Sequence, residues 1–181
     1  MERFLIKSDF WSGGRTSRPI LREGTQVVDI SSMLSKQDVF KDLTSEEIDQ
    51  IADITQHEKY KPHETIFEDQ HPGLDLYVVI SGKVQVRIEA IIPHEYITLS
   101  VINPGEILGE FSMIDQEPRS ASAVCAERTE MLVINGQKLH ELFNNNNRIG
   151  YIVMKNIARI MCERIRRTNR LLLNSLCFKL R

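Results

Sequence analysis

Cysteine, tryptophan, long apolar runs and an excess of either charge are all scarce in this chain. Of 181 residues three are cysteine (Cys125, Cys162 and Cys177) and one is tryptophan, Trp11. An odd number of thiols spaced this widely argues against a disulfide framework and against a sequence-local zinc site. No apolar run approaches the roughly 20 residues that a membrane-spanning helix needs. Arg3, Lys7 and Asp9 interrupt the first apolar residues, which do not read as a signal peptide. The 23 Lys and Arg against 25 Asp and Glu leave a net charge of −2, so no global basic field points to nucleic acid. His57, His63, His71, His94 and His140 show no metal-ligand spacing, and no serine or cysteine has the context of a nucleophile. The absences describe a cytoplasmic protein that is not an enzyme, with no metal, no cofactor, no membrane contact and no direct DNA binding.

What is present suits one domain with extensions, since 41% of the residues are hydrophobic. Residues 1–36 read as an N-terminal arm broken at Ser12-Gly13-Gly14 and Arg18-Pro19, with a short strand over 25–30. Val39, Phe40 and Leu43 make an amphipathic turn. Thr44-Ser-Glu-Glu47 then has capping-box spacing, and Ile48, Ile51 and Ile54 follow at helical intervals, which predicts a helix to about Thr55. From Glu58 to Leu132 short β segments alternate with turns at Ser81-Gly82, Asn103-Pro104-Gly105 and Glu127-Arg128. Strands this short and evenly spaced read as a sandwich, barrel or roll. Asn135 is an N-cap for a further helix, and Asn144 to Asn147 break it.

The longest regular segment, 148–176, would span about 43 Å at 1.5 Å per residue, too long to lie on one small β domain. Placed at about 100° per residue, Tyr151, Met154, Ala158, Met161, Ile165, Thr168, Leu172 and Ser175 form a stripe with a/d spacing. Ile149, Val153, Ile160 and Leu171 form a second apolar strip, and Lys155, Arg159, Glu163, Arg166 and Arg170 a charged face. One strip covers the helix's own β domain. The other needs cover from a second copy of the chain, giving a homodimer through 148–176, or from the 1–36 arm.

The stretch GEFSMIDQEPRSASA, 109–123, places glycine and an acid at one end and a base among very small side chains at the other. Gly109 lets backbone amides approach a ligand. Arg119 can make charge-assisted bonds to a phosphate oxygen, and the Ser120 hydroxyl and N–H can add others. A carboxylate at Glu110 accepts hydrogen bonds from ribose hydroxyls. A ligand with one phosphate and one ribose hydroxyl held close together satisfies the set, and a cyclic nucleotide is one. The competing reading pairs Glu110 with Arg119 on the surface, where the pair is worth little.

NPGEILGEFSMIDQEPRSASAVCAE resembles the phosphate-binding cassette of the cyclic nucleotide-binding domain family, and DLYVVISGKVQV is similar to that family's strand-glycine-strand signature. The family includes the bacterial catabolite activator protein, protein kinase A regulatory subunits and nucleotide-gated channels. Its cassette appears here as Leu108-Gly109-Glu110-Phe111-Ser112-Met113, then Pro118-Arg119-Ser120-Ala121, with Leu108 and Phe111-Ser112 as mild departures. The resemblance implies an α+β, mainly β fold: an antiparallel β-roll or jelly roll over 37–147, flanked by short helices, with a long C-terminal dimerisation helix and tail over 148–181. It further implies that Gly109 and Glu110 meet the ribose 2′-hydroxyl and that Arg119 and Ser120 meet the cyclic phosphate. Phe111, Ser112 and Ala121 complete the ligand-binding set, and Thr168 and Asn169, within MCERIRRTNR, stand at the base. Thr168 reads equally as a polar residue that sets the register of the apolar seam.

Serine after the arginine, with a hydroxyl and an amide at the base, leans to cAMP, with cGMP the other candidate. The catabolite activator's helix-turn-helix domain has no counterpart, since only a few residues follow Leu176. The implied protein is a regulatory module that signals through its long helix to an effector protein not named by the sequence, or else the chain is a fragment whose effector lies beyond Arg181. Two rivals stay open: a ligand-free dimerisation scaffold of the same fold, and a haem or redox sensor with Cys125 as the nearest ligand.

Overall fold

The computed structural model describes residues 29–92 and 95–179. Most of the strand read over 25–30 lies outside them, and Ile30 opens helix α1 (Ile30–Leu34), capped by the Asp29 carboxylate. A 3-10 turn at Asp38–Phe40 and helix α2 (Ser45–Ala52) follow. The capping box forms as its spacing predicts: the Thr44 hydroxyl accepts from the Glu47 N–H, and the Glu47 carboxylate accepts from the Thr44 N–H. The helix stops three residues short of Thr55, which starts strand β1 (Thr55–Tyr60).

Seven more strands follow: β2 (Thr65–Phe67), β3 (Leu76–Ser81), β4 (Val84–Glu89), β5 (Tyr96–Ile102), β6 (Ile107–Leu108), β7 (Ser122–Cys125) and β8 (Thr129–Ile134). They pair as two antiparallel four-stranded sheets, ordered β1-β8-β3-β6 and β2-β7-β4-β5. The turns read at Ser81-Gly82, Asn103-Pro104-Gly105 and Glu127-Arg128 fall between strands. At the first of these Gly82 has φ 82°, and a Cβ there would lie 2.4 Å from the Arg128 carbonyl.

The inner strand β3 of the first sheet is buried on both faces, which explains its nearly unbroken apolar run, whereas the edge strand β1 is polar and partly exposed. Along β3, Leu76 and Val78 face one apolar cluster while Tyr77 and Val79 face another. Leu132 and Ile134 of β8 join the first cluster, and Met131 joins the second. The second cluster fills the space between the sheets, with Val84, Ile102, Ala123 and Cys125 contributed by the other sheet. The first lies under the helices, α4 (Gly136–Asn145) and α5 (Asn147–Lys179) among them. Leu34 of α1 is fully buried there, so core packing crosses the boundary placed at residue 36.

Helix α5 runs 33 residues, about 50 Å at 1.5 Å per residue. Ile149, Val153 and Ile157 are fully buried against the roll, each contributing roughly 2 kcal/mol of apolar burial. Among them the buried Asn156 side chain donates to the Val39 and Lys41 carbonyls at 3.1 and 2.8 Å, tying α5 to the 3-10 turn. The other stripe turns outward: Tyr151, Ile165 and Leu172 are exposed, while Met154 and Met161 are half-buried at the edge of the core. Leu171, read on the inner strip, is exposed.

Candidate functional site

Strand β6 ends at Leu108, and the chain turns at Gly109 into the short helix α3 (Glu110–Asp115). Gly109 has φ 83°, and a Cβ there would lie 2.6 Å from both the Arg119 Nη1 and the Asp75 carbonyl oxygen. Glycine is required twice over, by conformation and by space. Arg119 arrives from the other side. Its N–H donates to the His71 carbonyl at 3.1 Å and its carbonyl accepts from the Gln70 N–H at 2.8 Å, so its backbone is held in a short ladder just ahead of β7.

The Arg119 side chain is only 2% exposed. Its Nη1 donates to the Gly109 carbonyl and its Nη2 to the Asp75 carbonyl, each at 2.9 Å. Nε is buried with no hydrogen-bond partner. The guanidinium carbon lies 4.4 Å from the centre of the Phe67 ring and 5.6 Å from that of Tyr77. No ion pair among the described residues reaches Arg119: the Asp75 carboxylate accepts from the Gly136 N–H, and Glu110 is engaged elsewhere. Burial pulls the guanidinium below its ordinary value, opposed by Tyr77, Asp75 and Glu110. Burial likewise pushes the Tyr77 phenol up to about 12.

Glu110 is 5% exposed, and its partner is Arg164 of α5, not Arg119. Arg164 Nη1 donates to the Glu110 carboxylate and Nη2 to the Ile107 carbonyl. The surface pairing of Glu110 with Arg119 therefore does not form. Burial raises the Glu110 carboxyl above the ordinary carboxylate range, and the adjacent Arg164 draws it part of the way back.

The structure thus brings Gly109, Glu110, Arg119 and Ala121 together, the last 4% exposed as β7 begins. Ser112 is buried in α3, while Phe111 and Ser120 are exposed. Thr168 and Asn169 are exposed on α5, four and five residues beyond Arg164. Thr168 therefore shares Arg164's side of the helix. Sequence reasoning missed Arg164, Phe67 and Tyr77. Arg164 had a signal, because it continues the inner strip of Ile149, Val153 and Ile160 within about 40°. The pairing itself has none across 54 residues.

Chemically, the site offers a buried cation with no carboxylate against it, a buried carboxylate, and backbone at a glycine turn. Such a set can take a small anion at one end and a hydroxyl donor at the other. Cys125, which follows the cassette in sequence, is fully buried between the sheets, and burial pushes it up to about 11. Among the described residues no group of three His, Cys, Asp or Glu could hold a metal ion, and no helix is long and apolar enough to cross a membrane.

Known proteins resemble this chain in sequence and in fold. Residues 57–146 match the cyclic nucleotide-binding domain family. The cyclic AMP receptor protein of Thermus thermophilus is 34% identical over 128 residues, covering 71% of this chain and 57% of its own length. A cyclic nucleotide-binding domain from Methylobacillus flagellatus superimposes with a TM-score of 0.69 at 27% identity, covering 81% of this chain and 82% of that one. The catabolite activator protein of Thermus thermophilus does so at 0.63 and 32% identity, covering 78% and 64%. The chain spans less than two thirds of the length of the two Thermus thermophilus proteins. With its two-sheet roll, long C-terminal helix and Gly109–Ala121 cassette, the chain belongs to the cyclic nucleotide-binding domain family.

Proposed function

We propose that the chain is a regulatory module that binds cAMP and passes its occupancy to α5. The observation that carries this reading is Arg119: a buried guanidinium with an open Nε and no carboxylate partner, beside a glycine turn. A cyclic phosphate supplies the missing anion, aided by the exposed Ser120. Gly109 and Glu110 take the ribose 2′-hydroxyl, with Phe111, Ser112 and Ala121 shaping the cassette around them. Thr168 and Asn169 meet the base with a hydroxyl and an amide. Together with Ser120, that pair favours cAMP over cGMP.

Glu110 connects the ligand to the helix. Its carboxylate holds Arg164, so a ribose hydroxyl at Glu110 enters a hydrogen-bond set that already includes α5. A ligand that prefers one arrangement of this set shifts the population of helix positions. The outward stripe of Tyr151, Ile165 and Leu172 gives a second copy a seam to pack on, so the working unit is a homodimer that presents its helices to an effector protein.

Calorimetric titration with cAMP and cGMP tests the reading, on protein refolded from denaturant to strip carried-over nucleotide. Micromolar or tighter binding of cAMP, stronger than of cGMP, supports it. Absence of binding by either leaves a dimerisation scaffold that keeps the fold.

A further inference from the structure

This inference rests on the receptor reading and concerns how Arg119 is kept ready. A buried arginine is ordinarily stabilised by a carboxylate. Here the two Nη atoms are held by neutral carbonyls, those of Gly109 and Asp75, the Asp75 and Glu110 carboxylates act on the charge only from beyond ion-pair distance, and the contacts that remain are aromatic. The Arg119 guanidinium carbon and the ring centres of Phe67 and Tyr77 form a triangle with sides of 4.4, 5.6 and 5.5 Å. Phe67 is the nearer ring. It sits at the end of β2, pairs in register with Ala123 of β7, and is half-buried against the inter-sheet core.

We infer that Phe67 is a positioning residue for phosphate recognition, holding Arg119 through its ring without neutralising it. A carboxylate in this place would fix the arginine equally well but would compete with the ligand's phosphate for the same charge. An aromatic ring attracts the cation through its quadrupole and leaves the net charge intact. The two carbonyls fix the position of the fork, the ring limits its tilt, and Nε is left as the open donor. Phe67 therefore acts through Arg119 and need not touch the nucleotide.

The test is a double-mutant cycle on cAMP affinity, with thermal melts to confirm that each variant folds. Phe67→Leu in the otherwise unchanged chain weakens cAMP roughly 10-fold, the size expected for a largely desolvated ring–cation contact. Phe67→Tyr, which keeps the ring, restores affinity to within about twofold. In an Arg119→Gln background Phe67→Leu costs nothing further. An equal loss in both backgrounds overturns the inference, because it assigns Phe67 to packing alone. NMR of the Arg119 Nε–Hε group supplies a readout without ligand. Its ring-shifted proton moves downfield in Phe67→Leu, and a resonance that stays in place also overturns the inference. Wild-type protein that binds neither nucleotide defeats the receptor reading instead, and the NMR result then decides the Phe67–Arg119 contact by itself.

Discussion

The two ends of the cassette bury opposite charges and treat them differently. At the Gly109 end, Glu110 is buried with a direct partner, Arg164, recruited from α5 across 54 residues of sequence. At the strand β7 end, Arg119 is buried just as deeply with carbonyls and rings around it and no carboxylate. Burying a charge is costly unless it is paired, so the Glu110 end is complete without ligand and the Arg119 end is not. On the proposed reading, the difference locates the anion-seeking end of the site and links the opposite end to the long helix, with Arg164 completing the Glu110 end and Arg119 left to meet the ligand.

The largest effect expected from this comparison is on stability at the paired end. Arg164→Ala leaves Glu110 buried without its partner and lowers stability by about 3 kcal/mol, seen as a drop of about 10 °C in the melting midpoint. A loss below about 0.5 kcal/mol would show that the pair is no more than a surface contact. At the unpaired end, Arg119→Ala weakens cAMP on the order of 30-fold or more while costing less stability than Arg164→Ala, since it removes a charge that has no carboxylate partner. If both variants lost stability and affinity alike, the two ends would not differ in kind.

Much of this architecture was legible in the chain. The Thr44–Glu47 capping box, the Ser81-Gly82 corner and the Asn135 cap of α4 are local patterns, set by capping and turn chemistry within a few residues. The cassette was legible because glycine, acid, proline, base and small residues occur together in one short stretch. What escaped notice depends on long-range packing. Arg164 lies on the inner strip of α5, but nothing in sequence says which carboxylate it meets. Phe67 and Tyr77 read as ordinary strand residues until β2, β3 and the cassette are brought together. Asn156 is polar, yet it is buried where it donates to the Val39 and Lys41 carbonyls in and just after the 3-10 turn. Leu34, assigned to the arm, joins the core through α1.

A smaller effect concerns assembly. Ile165→Asp with Leu172→Asp places charge on the outward stripe of α5, where both residues are more than half exposed. The proposed dimer predicts that sedimentation will find the wild-type chain as a dimer and this variant as a monomer; an unchanged mass would assign the stripe to something other than a second copy. The smallest effect is a contrast in pH. Glu47 is held below its ordinary value of 4.5, first by its hydrogen bond to Arg148, so its contribution to stability is present above 4.5 and fades as pH falls through the lowered value. Glu47→Gln therefore flattens the acid limb of a stability curve. Glu110 is raised, so its stabilising direction is opposite: present at low pH and lost as pH rises through the raised value. The ionised carboxylate is a stronger acceptor for the proposed ribose hydroxyl than the protonated acid, so cAMP affinity falls on acidification at a pH above 4.5. A decline that begins only below 4.5 would detach Glu110 from the ribose.

The most direct test of the central claim is a crystal structure of the chain with cAMP bound. The account predicts a cyclic phosphate oxygen within about 3 Å of an Arg119 nitrogen, with the ribose 2′-hydroxyl on the Glu110 carboxylate. A nucleotide bound with its phosphate away from Arg119, leaving that guanidinium in its present carbonyl cradle, would contradict it.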